Sequence, residues 1–454
     1  MDWKTIKPNE KADWINQRDG IFDNFIPLFD NTRGQGFFNY IPIGVLSSRD
    51  SWVCNFDKNT LLSNIHCMID NYNTSISHLK TGDFNYNPTQ IGWSANLKKV
   101  ASTGCLLNFI PESVTIYTYR LFQKSYLYYE RSLIERPGQW QHIFPPNCQN
   151  QVIGMKGTGG HKDFSLFLYD TIIDYNNFEA GTKCFPLYWY EENKNPQASL
   201  FDDAETNRYI RRDGITDWIL KEVRNRFGGS RAITKEHIFY YVYGLLHSKQ
   251  YRKRFADDLK KSLPRIPIVD NVQDFMSFYK AGKELADLHL NYEQGINMQT
   301  TGHDGDYTFF AEMPMLAHRF FGVKVIGDID IWQSEWANDT YQHFAVEKMR
   351  FAKVRDKNGK LVADKSKIIY NGHITIENIP LKAYEYIVNG KSAIEWIMER
   401  YAVTIDKASQ IKNDPNDWSR EHEQPRYILD LLLSIITLSC QTMDIVKALP
   451  IVTL

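Results

Sequence analysis

The sequence predicts a mixed α+β protein: a strand-rich N-terminal half, a helical middle, and a C-terminal β-hairpin followed by helices. Three patterns carry this prediction. Up to about residue 200, short apolar and aromatic runs alternate with Asn, Gly, Pro and Asp clusters, which is how strands and turns punctuate a chain. Between residues 205 and 345 apolar side chains recur at helical spacing. From residue 346 apolar and polar residues alternate around an Asn-Gly pair, whose tolerance of positive φ suits a tight hairpin turn.

In chain order, FFNYIPIGVL, VTIYTYRLF, SYLYYE, QVIGM and CFPLYWY are the expected N-terminal strands. The helix NTLLSNIHCMIDNYNTSI, with Leu61, Leu62, Ile65, Met68, Ile69 and Tyr72 on one face, interrupts them and makes residues 1–200 α+β. The polar, Pro-containing stretch EENKNPQASLFDDAETNR at 191–208 reads as a linker, so a boundary is placed there. GITDWILKEVRNRF and the region from Thr234 to Leu263 are helical, with Thr234 as N-cap and Pro264 as terminator, within a mainly helical unit over 205–345. The third unit, 346–454, holds the hairpin KMRFAKVRDKNGKLVADKSKIIYNGHITIENIP, the helix SAIEWIMERYAV and a long apolar helix from Arg426 to about Leu449.

A chain of 454 residues exceeds what one core usually organises, which fits two to three units. With 43% hydrophobic and 24% charged residues, disordered and fibrous classes are excluded. The 14% of aromatics suits wet contact surfaces, although most aromatic side chains pack cores. A net charge of −1 provides no global field toward nucleic acid, so any such binding must arise from local patches. The six cysteines are dispersed without a CxxC pair, as expected of free thiols in the cytoplasm. The N-terminus lacks a secretion signal, and the apolar run ILDLLLSIITLSC is shorter than the roughly 18 residues that span a bilayer, so a buried helix and no membrane partner are expected.

No catalytic set emerges. The Gly-rich run GMKGTGGHKDF has neither the Lys and hydroxyl directly after its last Gly that a P-loop needs nor the spacing of a dinucleotide fingerprint. Neither FPPN nor NDPNDW has the N/D-P-P-aromatic order with which an adenine methyltransferase holds its base, and HExxH is missing. HDGD at 303–306 starts like a calcium loop, but the other ligand positions are not filled. His247 and His289 read as satisfied helix residues. No metal or cofactor is expected in the chain.

Several long, ordered stretches nevertheless resemble one family from end to end. They are PNEKADWINQR, VLSSRDSWVCNF, NIHCMIDNYN, YRLFQKSYLYYER, IFPPN and KCFPLYWYE, then IFYYVYGLLHSKQYRKRFADDLKKSLPRIPI, VNGKSAIEWIMERYAVTIDKASQIKNDPNDW and PRYILDLLLSIITLSCQTMDIVKALP. The chain resembles the C-terminal target-recognition region of Type ISP restriction-modification enzymes. That resemblance implies recognition of an asymmetric site on double-stranded DNA. It also implies that nuclease, ATP-driven translocase and N6-adenine methyltransferase domains, with their ATP, Mg and S-adenosylmethionine, lie outside this chain and are its partners.

The resemblance transfers no contact residue, so candidates come from chemistry: basic and amide side chains in loops reach base edges or phosphates. Arg49 and Asn55 in SSRDSWVCN are candidates, against an Arg49–Asp50 ion pair of structural purpose. Arg120 and Lys124 alternate with aromatics, against a half-buried strand with solvated basic ends. Lys156, His161 and Lys162 flank glycines that let a phosphate approach, against a plain tight turn. KQYRKRF is basic, but Asp257 and Asp258 follow it. The hairpin from Lys348 to Lys367 is the strongest positive patch, with Lys353, Arg355 and Lys357 as its candidates, against a charge-protected edge. Trp396, Trp418 and the turn from Asn413 to Asn416 are assigned to architecture. Three readings stay open: a non-catalytic DNA specificity module, a protein-interaction module that docks methyltransferase or translocase domains without DNA affinity of its own, and an independent enzyme whose site forms only in three dimensions.

Overall fold

A computed structural model describes residues 7–14, 18–79, 87, 89–193, 208–293, 313–327 and 340–452. Helices and small, mostly antiparallel sheets share the chain, as an α+β protein requires. The calcium-like HDGD and the centre of the expected linker lie outside the described residues.

The N-terminal half forms around helix α1 (Lys58–Leu79), whose Leu61, Ile65, Met68, Ile69 and Tyr72 are buried as the periodicity required. They pack on a four-stranded sheet, ordered β1 (Cys54–Asn55), β3 (Gln123–Tyr128), β2 (Val114–Arg120) and β6 (Ile172–Ile173), in which only the β2–β6 pair is parallel. The β2–β3 turn is buried. Its Phe122 takes a left-handed φ of 60°, uncommon for an aromatic residue, and its carbonyl accepts a hydrogen bond from the Tyr401 hydroxyl at 3.2 Å. A second sheet, β5 (Leu166–Tyr169), β4 (Val152–Lys156) and β7 (Thr182–Pro186), is buried almost throughout because a core covers each of its faces.

Most of the polar stretch at 191–208 lies outside the described residues. Strands β8 (Tyr188–Glu192) and β9 (Tyr209–Asp213) on either side of it pair antiparallel, from Tyr188↔Asp213 to Glu192↔Tyr209. The strands that flank the boundary expected near residue 200 are thus paired with each other. The hydrophobic cores follow tertiary contacts in the same way. One joins α1 and the first sheet to the C-terminal helices; the other joins β4, β5 and β7 to the helical middle.

In that middle, α2 (Asp217–Arg226) is capped by Thr216, and α3 (Lys235–Leu246) by Thr234, which forms a capping box with His237. Helix α3 is buried from Ile238 to Leu246 because it lies between the second sheet and α4 (Val272–Leu290). Its tyrosines keep their hydroxyls bonded: Tyr240 to Gln151, Tyr241 to the Pro267 carbonyl, and Tyr243 to His289, at 2.8, 2.7 and 2.6 Å. Much of the aromatic excess is thus core. Helices α3 and α4 touch backbone to backbone at Gly244 and Gly282. A Cβ on Gly282 would lie 1.9 Å from the Tyr240 carbonyl oxygen, and one on Gly244 would lie 2.2 Å from that of Phe278.

The C-terminal third contains a sheet ordered β10 (Lys324–Ile326), β13 (Thr375–Glu377), β12 (Leu361–Ile369) and β11 (Arg350–Arg355). Beyond it come α5 (Ala393–Arg400), opened by a Ser392–Glu395 capping box, α6 (Pro415–Glu421), and α7 (Tyr427–Ala448). Trp396 and Trp418 are core anchors, at 4% and 2% exposure. Helix α7 is long and apolar enough to cross a bilayer, yet 78% of its most apolar window is buried in the protein.

Gly282→Ala is expected to destabilise the chain by roughly 1–3 kcal/mol, since the backbone contact leaves no volume for a methyl group. Urea unfolding of the two proteins measures it, and an unchanged midpoint would show that the helices separate freely.

Candidate nucleic-acid interface

The ten candidate residues fall into two sets. Arg49 is 4% exposed, and each of its three nitrogens donates inward: Nε to the Gly92 carbonyl at 2.9 Å, Nη1 to the Leu133 carbonyl and Nη2 to the Ser94 hydroxyl. Asp50 is instead bonded to Ser47, Tyr119 and Arg120, so the expected Arg49–Asp50 pair gives way to a different network. Asn55, 1% exposed, accepts from the Asp57 amide at 3.0 Å and donates to the Lys412 carbonyl at 3.3 Å. These two residues brace loops from within and do not reach the surface as expected.

Arg120 bridges two carboxylates, Asp174 at 2.7 Å and Asp50 at 3.4 Å. Lys124 sits 2.8 Å from Glu293, a carboxylate only 5% exposed by side chain. Burial alone would lower the Lys124 ammonium, but Glu293 and Asp170 more than offset it and hold it above the usual lysine range. Lys156 is buried: its ammonium donates to the Gly159 carbonyl at 2.8 Å and lies 3.7 Å from Glu179. Burial accordingly pulls its pKa down despite Glu179. The Gly-rich turn is folded onto its own lysine, because Gly159 and Gly160 adopt φ +83 and bend the chain back. The Lys162 ammonium lies 5.7 Å from the centre of the Trp396 ring while its amide donates to Glu179. His161 is exposed beside it.

Lys353, Arg355 and Lys357 form the second set, all exposed on the β11–β12 hairpin. The strands pair antiparallel from Arg350↔Ile369 to Arg355↔Leu361, with a register shift between Phe351 and Ala352. Asp356 closes the tip: its Oδ1 accepts the amides of Asn358 and Lys360 at 2.9 Å, and its backbone bonds Gly359 and Lys360. Gly359, at φ +76, supplies the left-handed residue that a tight hairpin turn needs. The Arg355 guanidinium donates to the Gly359 carbonyl at 2.8 Å and so stays over the tip. Lys365 and Lys367 are drawn back to Glu395 and Glu377. Lys348, Arg350, Lys353, Arg355, Lys357 and Lys360 form no ion pair among the described residues, and exposed Val354 and Leu361 lie among them.

A cleft of about 980 Å³ opens elsewhere, between the Ser48–Trp52 turn, Trp93 and the small hairpin in which Thr404–Ile405 pairs with Lys412–Asn413. Sequence reasoning did not find it, because the Thr404–Asn413 hairpin is more than 300 residues from the Ser48–Trp52 turn and Trp93 in the chain. Its rim carries Asp50, Glu399 and Asp406 as well as Arg400 and Lys407, so it has no marked excess of either charge. No cluster of His, Cys, Asp and Glu fit to hold a metal occurs among the described residues.

The family model of the Type ISP C-terminal specificity domain matches residues 36–431. Among solved structures, the chain is similar to the ATP-dependent Type ISP restriction-modification enzyme LlaBIII bound to DNA, with 34% identity and a TM-score of 0.78 over 99% of this chain. It is also similar to a nuclease-deletion mutant of the Type ISP enzyme LlaGI in complex with a DNA substrate mimic, with 33% identity and a TM-score of 0.76 over 100%. The DrdV–DNA complex shares the fold, with a TM-score of 0.76 at 23% identity. The chain spans 25%, 37% and 41% of the lengths of these three proteins. No curated protein matches it.

Lys124→Met is expected to cost about 3–5 kcal/mol, since it leaves the buried Glu293 carboxylate without its counter-charge, and Lys124→Met with Glu293→Gln should recover most of that. Thermal unfolding of both variants reads the difference. A single variant as stable as the wild type would show that Lys124 is free for a ligand.

Proposed function

Because the chain belongs to the Type ISP C-terminal specificity-domain family, we propose that it is the DNA-reading part of a restriction-modification enzyme and performs no catalysis itself. The relatives in complex with DNA support this reading. In it, the chain binds a specific site on duplex DNA in the cytoplasm. It presents that site to methyltransferase, translocase and nuclease domains that hold S-adenosylmethionine, ATP and Mg.

The observation that carries the reading at residue level is the distribution of positive charge. In a chain of net charge −1, Arg49, Arg120, Lys124 and Lys156 are engaged internally, whereas the β11–β12 hairpin presents six cations to solvent. A two-stranded ribbon fits the width of a major groove. There Lys and Arg side chains neutralise phosphates and the stiff tip, braced by Asp356, sets their spacing. Arg355, fixed over the turn, is suited to a base edge; Lys353 and Lys357, on flexible stems, are suited to phosphates.

The alternative, a docking module without DNA affinity, draws on the same hairpin through exposed Val354 and Leu361. One titration separates the two. Changing Lys353, Arg355 and Lys357 to Ala should lower the log–log salt slope of duplex binding by about 0.9 for each phosphate that is no longer neutralised. Binding with an unchanged slope and affinity would give the hairpin to protein docking.

A further inference from the structure

The β11–β12 hairpin has two unlike faces, and its register separates them. Residues directly opposite one another in an antiparallel pair put their side chains on the same side of the sheet, and successive residues alternate. Lys353↔Ala363 and Arg355↔Leu361 therefore share one face, and Ala352↔Asp364 and Val354↔Val362 share the other. All four residues of the first face are exposed, as is Lys365 further along β12. On the second face Ala352, Val362 and Asp364 are half-buried. The open face also has no carboxylate of its own. Asp364, the one acidic residue in the two strands, stands on the covered face and accepts from the amide and hydroxyl of Ser366.

Leu361 is 53% exposed, and its neighbours on the open face are Arg355, Lys353 and Ala363, so it adds little to any core. A protein partner seeking an apolar patch would have to bury Val354 together with it, and those two side chains stand on opposite faces. A single apolar group among cations suits another surface. The major groove of DNA carries the C5-methyl group of thymine beside hydrogen-bonding base edges and between rows of phosphates.

Arg355 stands next to Leu361 with its guanidinium held. Its Nη1 donates to the Gly359 carbonyl at 2.8 Å, while Nε and Nη2 have no acceptor among the described residues. Two donors side by side match O6 and N7 of guanine. Opposite residues of an antiparallel pair lie about 4.5–5.5 Å apart and base pairs rise about 3.4 Å, so these two side chains can meet neighbouring base pairs.

Resting on the DNA-reading function proposed above, we infer that the open face of the hairpin reads a two-base-pair step. Arg355 takes a guanine, and Leu361 packs on the methyl group of a thymine in the adjacent pair. Leu361 is thus a specificity-determining residue, and Val354, on the covered face, is not.

Selection from a randomised duplex library by the full chain identifies the bound site, and titrations at fixed salt then compare variants of it. The selected site should contain a guanine and a thymine in neighbouring base pairs. Deoxyuridine in place of that thymine removes only the methyl group and should weaken binding about fourfold, as expected for one buried methyl. Leu361→Ala, a change on an exposed strand face whose shorter side chain does not reach the base, should keep the unfolding midpoint. It should bind the thymine and uracil duplexes alike and relax the selected site at that one position. Arg355→Ala should relax the neighbouring guanine instead, and Val354→Ala should leave both preferences intact. Wild-type binding indifferent to uracil at every selected thymine, or unchanged thymine preference in Leu361→Ala, would overturn the assignment. The salt titration of the Lys353, Arg355 and Lys357 variant keeps the two levels apart: with a reduced slope such a result leaves the hairpin on phosphates and removes only the base reading, whereas an unchanged slope removes both.

Discussion

The carboxylate of Glu293 joins three distant parts of the chain. It takes the Lys124 ammonium from β3 at 2.8 Å and the Tyr427 hydroxyl from α7 at 2.8 Å, just past the end of α4. The Tyr427 hydroxyl lies 3.3 Å from that of Tyr401, which bonds the buried Phe122 turn. A buried charge is tolerated only when its lone pairs are occupied, so this one group holds sheet, middle helix and C-terminal helix in a single arrangement. The paired Arg120, Asp174 and Asp50 do the same for β2, the β6 exit and the Ser48–Trp52 turn.

This internal use of charge shapes the surface. Arginine and lysine that hold segments together are unavailable to a polyanion, and the formal balance of the chain leaves little net field. Positive potential therefore concentrates where geometry keeps cations apart from carboxylates, on a two-stranded ribbon that projects its side chains to solvent. A local patch of that kind is what the proposed reading requires, since it attracts a polyanion to one face rather than to all.

Much of the fold was legible because the signals are local. The 3.6-residue recurrence in Leu61 to Tyr72, the Thr234 cap and the Asn358-Gly359 turn each act over a few residues, and the structure follows them. The candidate site was legible only in part. A basic residue in an aromatic strand looks the same in sequence whether it meets Asp174 or solvent, so Arg120 and Lys124 could not be separated from Lys353 and Lys357. The cleft beside the Ser48–Trp52 turn is invisible in the sequence because its walls come from segments remote from one another along the chain.

By itself, then, the sequence determined the α+β class, the helix faces, the turn chemistry, the family and the cationic character of the Lys348–Lys367 hairpin, all of which rest on neighbouring residues or on ordered motifs. Only the tertiary structure decided which cations are neutralised and how the two cores cross the chain. The physical reason is that the energy of a charge is set by its surroundings: the same guanidinium is a structural clamp when folding brings a carboxylate to it, and a ligand-binding group when folding does not.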